Sequence, residues 1–173
     1  MDHCYECGVP SAVAEVHGSM VPVCPVHGPR WKVVRNAPVV AVLAEWDGRV
    51  LLGRRAHPPW EGQWNLPGGF VEKGEHPYDA AAREFREEVG LEVRLTGLLA
   101  ISLSCYEPND DWLLHHVFTG EARGEPVPHP AEMSEARWFL PEDIPRDLAG
   151  DHEARMVAWR DGLRPVPLPG RGG

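Results

Sequence analysis

The sequence predicts an α/β domain preceded by a small metal-stabilised module, and three observations carry that prediction. The continuous apolar run Val39-Val40-Ala41-Val42-Leu43-Ala44 is followed by Asp47-Gly48 and a second apolar segment, the pattern of strand, hairpin turn and strand. From Pro77 to Val89 apolar residues recur at helical spacing, and Gly90 follows as a natural stop. Upstream, Cys4-x-x-Cys7-Gly8 and Cys24-x-x-His27-Gly28 form two matched turns separated by sixteen residues.

Each of those turns presents two ligands to one side, with a glycine behind them. Together they supply three thiolates and one imidazole, the closed tetrahedral set expected for structural Zn²⁺. A disulfide fits less well, because one of the four is histidine. The residues around Cys4, Cys7, Cys24 and His27 cannot build an apolar core, so the ion would hold residues 1–30 together. In small zinc domains that energy is about 10–16 kcal/mol. The site has no open position and is assigned no catalysis. His3 and His17 read as surface residues. The loop from Gly8 to Val23 contains no Lys or Arg, which argues against nucleic-acid binding. Residues 31–37 read as a linker or short strand, and residues 38–162 as the main domain.

After the first strand and its Asp47-Gly48 turn, Arg49 to Arg55 returns as the partner strand. Arg54 or Arg55 at its end could hold a phosphate, or the two form an ordinary surface pair. The loop from His57 to Trp64 is rigid and aromatic. Trp60 could stack on a ligand, whereas Trp64 reads as packing. Leu66-Pro67-Gly68-Gly69 follows as a tight turn whose glycines allow close backbone approach to a ligand.

Pro77 suits the first helical position, Asp79 favours the helix dipole, and Ala81, Phe85 and Val89 provide a face to bury. Glu84, Glu87 and Glu88 share one side of this helix. Each like-charged pair at that spacing costs roughly 0.2–0.5 kcal/mol, and Arg83 offsets only part of it. Three clustered carboxylates suit a hard divalent cation, although alone they also suit a solvated acidic face.

From Gly69 to Leu91 the chain fits G-x5-E-x7-R-E-U-x-E-E-x-G-U, where U is bulky and apolar. Gly69, Glu75, Arg83, Glu84, Phe85, Glu87, Glu88, Gly90 and Leu91 fill every fixed slot. The segment resembles the Nudix hydrolase family; Phe85 stands where that family more often has an aliphatic residue. The resemblance implies a mixed β-sheet sandwiched between helices. It implies hydrolysis of a nucleoside diphosphate linked to another group, with Mg²⁺ or Mn²⁺ held by Glu84, Glu87, Glu88 and the Gly69 carbonyl. Arg83 and Glu75 would pair and hold the loop against the helix. Glu84, or an acid from a later loop, would take a proton from the attacking water. Glu87→Gln is expected to lower turnover by about 10²–10⁴-fold.

Residues 1–30 resemble the zinc ribbons that precede some Nudix domains. Such proteins include NADH diphosphatases, which carry a Ser-Gln-Pro-Trp-Pro-Phe stretch that is absent here. ADP-ribose, FAD or a related conjugate is therefore the expected substrate. The alternatives are a damaged nucleoside triphosphate or a sensor that binds a nucleotide without cleaving it. The resemblance also allows a homodimer.

Beyond the helix, Glu92 to Leu95 alternates and Leu98 to Tyr106 reads as a strand with a bend at Gly97, and Cys105 as a small buried hydrophobe. Glu107 to Asp111 is a turn. Trp112 to Thr119 places His115 and His116 on opposite faces, one of them expected as a structural inward histidine. Glu121 to Pro130 is a proline-rich loop, and Ala131 to Pro141 resembles a late family strand. The loop before that strand often supplies an acid, and Glu132 is the expected residue, with Glu135 second. Asp151 to Arg160 is the last helix, packing Met156, Val157 and Trp159. Residues 163–173 read as a flexible tail.

The net charge of -9 disfavours wrapping a nucleic acid. The chain shows neither a membrane-spanning apolar run nor a signal-like start, so a cytoplasmic location and a small nucleotide partner are expected.

Overall fold

The computed structural model describes residues 3–29, 36–106, 111–150, 152–162 and 165–167. They fall into two units, Met1–Arg35 and Asn36–Gly173.

In the first unit, β1 (Ala12–Val16) and β2 (Ser19–Cys24) form an antiparallel hairpin, and β3 (Gly28–Pro29) pairs with β2. The hairpin turns at His17 and Gly18, both at positive φ (51° and 77°), the turn chirality that matches strand twist. Among its described apolar residues, Val21 alone joins Cys4 and Cys24 in being buried. So small a core cannot offset the entropy of ordering the chain.

The second unit is one mixed sheet with a helix against each face. Its strands are β4 (Ala37–Trp46), β5 (Arg49–Arg55), β6 (Trp64–Asn65), β7 (Val93–Tyr106), β8 (Asp111–Ala122), β9 (Met133–Phe139) and β10 (Val166–Pro167). They lie in the order β10-β7-β8-β4-β5-β6, with β9 also on β5. β4 and β8 are parallel and the other pairs antiparallel. Alternation along β4 explains the two layers. Val40, Val42 and Ala44 pack with Ala81, Phe85 and Val89 of α1 (Pro77–Val89). Ala41 and Leu43 face the other way, onto Met156 of α2 (His152–Arg160). Strand residues far outnumber helical ones, so the expected sheet between helices is present with only two long helices among the described residues. His76 caps α1 by accepting the Tyr78 N–H, and Gly90 closes it at φ 69°.

Several expectations change. Val93 to Tyr106 is one strand, whose register shifts at Leu95/Gly97 and Leu98/Ala100 absorb the bend. Cys105 is exposed, not buried. It pairs with Trp112 on a face it shares with Ile101 and Leu103, which are likewise exposed. Val157 is also exposed, because the inward stripe of α2 is Arg155, Met156 and Trp159. Val166 and Pro167, expected in a flexible tail, pair with Leu98 and Gly97. Residues 31–35, the 107–110 turn and residues 168–173 lie outside the described residues. No described helix is long and apolar enough to cross a membrane.

Candidate active site

The site begins at the glycine turn. The Val42 N–H donates to the Pro67 carbonyl and the Val40 N–H to the Gly69 carbonyl, both at 2.8 Å, so Pro67 to Gly69 runs along the edge of β4. Gly68 adopts φ 153°, and a Cβ there would collide with the Val40 carbonyl. A Cβ on Gly69 would lie 2.5 Å from the Glu84 carboxylate. Gly69→Ala is therefore expected to displace Glu84, lowering turnover while α1 still folds; steady-state kinetics beside far-ultraviolet circular dichroism would check this.

The turn donates directly to the helix: the Gly68 N–H meets Glu88 Oε2 at 2.7 Å. Glu88 is 8% exposed. Burial pushes its carboxyl up to about 8, against the Gly68 N–H, and the charges of Glu84 and Glu132 add to the rise. Burial likewise raises Glu84. The loop after β8 brings in the third acid. Val127 N–H donates to the Val89 carbonyl and His129 N–H to the Glu88 carbonyl, each at 2.8 Å. Ala56 N–H then donates to the Glu132 carbonyl at 2.9 Å. Carboxylate oxygens of Glu84, Glu88 and Glu132 consequently lie within 4.8 Å of one another. Three mutually repelling oxygen donors, two with raised pKa, fit a hard divalent cation.

Glu87 stands apart from that trio. Its side chain is 53% exposed and meets Arg83 Nη1 at 3.2 Å. Arg83 also binds Glu84 Oε1 at 2.7 Å, and Glu75 through two bonds of 2.8 Å each. Its Nη2 reaches the Phe70 carbonyl at 3.2 Å. Arg83 thus ties the loop, the glycine segment and the acidic face together. The Gly69 carbonyl accepts the Val40 N–H, which leaves its second lone pair for the expected ligand role.

Arg83, then the Glu72 N–H, holds the Glu75 carboxyl down at about 2. Its folded pKa lies below the unfolded value. The stabilisation is therefore full above about pH 4.5 and is lost as pH falls towards 2. Thermal unfolding midpoints should fall less steeply over that window in Glu75→Gln than in the wild type.

The other expected contacts are dispersed. Arg54 Nε donates to the Gly62 carbonyl at 2.7 Å, and Arg55 Nε to Pro59 at 2.8 Å, so both brace the aromatic loop. Trp60 sits beside Gly150, and Trp64 packs edge-on against Phe139 at 4.9 Å. Glu135 pairs with Arg137. His115 Nε2 bonds Ser104 Oγ at 2.7 Å, and His116 Nδ1 lies 3.4 Å from the Val39 carbonyl. The paired glycines marked Gly68 as a point of close backbone approach; that its N–H meets Glu88 is visible only in the structure.

In the first unit, the ligand atoms of Cys4, Cys7, Cys24 and His27 all lie within 4.8 Å of one another. Cys7 and Cys24 sulfurs are 3.7 Å apart, and His27 Nδ1 is 3.5 Å from Cys4 and 3.7 Å from Cys24. Metal–sulfur arms of about 2.3 Å give tetrahedral edges of about 3.8 Å, so this spacing fits zinc. It is far too long for a disulfide. The Cys7 and Glu6 amides hold the Cys4 thiol down to about 6.

A NUDIX domain model matches residues 34–160. An ADP-ribose pyrophosphatase of Methanocaldococcus jannaschii is 34% identical over 130 residues, covering 72% of this chain and 76% of that protein. An NAD-capped RNA hydrolase, NudC, of Pseudomonas entomophila is 32% identical over 173 residues, covering 96% of this chain and 59% of that longer protein. The crystal structure of a NUDIX hydrolase from Nitrosomonas europaea superimposes with a TM-score of 0.74 at 28% identity, over 96% of each chain. The glycine turn, the acidic helix and these matches lead to one conclusion: the chain belongs to the NUDIX family, as a hydrolase of phosphoanhydride bonds.

Proposed function

We propose that this enzyme cleaves the pyrophosphate of an ADP-ribose-like conjugate, a nucleoside diphosphate linked to a second moiety. The observation that carries the reading is the meeting of Glu84, Glu88 and Glu132 beside the glycine turn. Similarity to an ADP-ribose pyrophosphatase over most of both chains supports the substrate class. NUDIX hydrolases depend on divalent metals, and Glu84, Glu88 and Glu132, with Glu87 at the rim, would hold Mg²⁺ or Mn²⁺. Such an ion supplies neutralisation of the anhydride charge and a more acidic attacking water.

The residues of the chain do the rest. Glu84 or Glu132 accepts the proton of the water whose oxygen bonds one phosphorus. The P–O anhydride bond breaks, and the bridging oxygen leaves on the other phosphate, giving two phosphomonoesters. Arg83 holds Glu84 and Glu75 in place. Arg55, within electrostatic reach of Glu88 while its Nε braces the loop at Pro59, would be the cation to meet a substrate phosphate, with Trp60 on the same loop. The net charge of -9 favours a small nucleotide over a polynucleotide. Cys4, Cys7, Cys24 and His27 would hold a structural Zn²⁺, and the match to NudC takes in this segment.

A panel of ADP-ribose, FAD, NADH and nucleoside triphosphates with Mg²⁺, read by phosphate release after phosphatase coupling, tests the substrate. ADP-ribose or FAD should be cut fastest. Preference for triphosphates would replace this reading with nucleotide sanitising, and binding without cleavage would make the chain a sensor.

A further inference from the structure

α2 carries an unusual inward stripe: beside buried Met156 and partly buried Trp159, it holds the polar residues Arg155, which is buried, and His152, which is partly buried. Polar side chains on the core side of an amphipathic helix are costly unless bonded. His152 is bonded to the site. Its Nδ1 accepts the Leu66 N–H at 3.3 Å. Leu66 is 1% exposed, so that amide has no access to solvent. Two residues on, Gly68 N–H reaches Glu88, and Pro67 between them has a fixed φ.

We propose that His152 is a positioning residue for the metal-binding carboxylates, reaching from α2 through Leu66 to set where the Gly68 amide meets Glu88. The proposal rests on the reading of Glu84, Glu88 and Glu132 as the divalent-ion site. The bond requires a neutral imidazole with its hydrogen on Nε2. The surroundings enforce that state. Burial first, then the nearby charges of Arg155, His115 and Arg55, drive His152 well below its ordinary pKa. Arg155, a residue 6% exposed, brings its Nη1 to 3.5 Å from both ring nitrogens. The position therefore acts as a fixed acceptor and not as a proton carrier.

The test measures Mn²⁺ affinity by electron paramagnetic resonance, with kcat and thermal midpoint alongside, for His152→Ala, His152→Asn and His152→Gln. Asn places an oxygen where Nδ1 stands, whereas Gln displaces it. Loss of a partner that orients metal ligands typically costs about 10–100-fold in metal affinity or activity. Ala and Gln should weaken Mn²⁺ by at least about tenfold on that scale, and Asn should stay within about threefold of wild type. If all three lowered only the thermal midpoint, with Mn²⁺ affinity and kcat unchanged, His152 would be a packing residue and the proposal would fall. If the wild type bound no Mn²⁺, or bound it unchanged in Glu88→Gln, the ion-site reading itself would fall and take this inference with it.

Discussion

Glu88→Gln is expected to lower turnover by about 10²–10⁴-fold, the range for losing a positioned ionisable group, while the protein stays folded. The amide oxygen of Gln can still accept the Gly68 N–H, which Glu88 Oε2 now accepts at 2.7 Å. What disappears is a charge already disfavoured by burial, so without metal the variant should be at least as heat-stable as the wild type. Steady-state kinetics at saturating Mg²⁺, paired with thermal unfolding in a chelator, separates the two effects. Glu87→Gln should cost less than Glu88→Gln, because Glu87 is half-exposed and outside the trio. Wild-type turnover in Glu88→Gln would remove the metal site from this helix.

Metal removal should unfold the first unit. Its described apolar core is Val21 together with Cys4 and Cys24, so little apolar burial opposes chain entropy. Ion binding in such domains is worth about 10–16 kcal/mol at neutral pH. Purified protein should carry one zinc per chain by elemental analysis. A strong chelator, or Cys24→Ser, should abolish amide-exchange protection across Ala12–Val16 and Ser19–Cys24 while the α1 amides stay protected. Zinc-free protein with those strands still protected would show that the hairpin folds without an ion.

Helix α1, the Asp47-Gly48 hairpin and the paired glycines were legible because each depends on short-range chemistry. Pro77 and Gly90 mark helix ends through backbone geometry, and Ala81, Phe85 and Val89 mark its face by spacing alone. The meeting of Cys4, Cys7, Cys24 and His27 was legible for the same reason, since two residues three apart meet in one turn. Cys105 was misread because its apolar setting looks like core, whereas the face it shares with Ile101 and Leu103 is open to solvent.

The sequence by itself determined the family pattern, the two-sided apolar character of β4 and the local order of the acidic helix. Only the tertiary structure decided which acids converge. Glu87 and Glu88 are neighbours in the chain, yet one faces solvent and the other the Gly68 amide. Glu132 joins Glu84 and Glu88 from 44 residues downstream of Glu88 because His129 docks on the end of α1. His152 reaches Leu66 across 86 residues. Periodicity reports the direction of a side chain within its own element, and long-range convergence depends on how elements pack against one sheet.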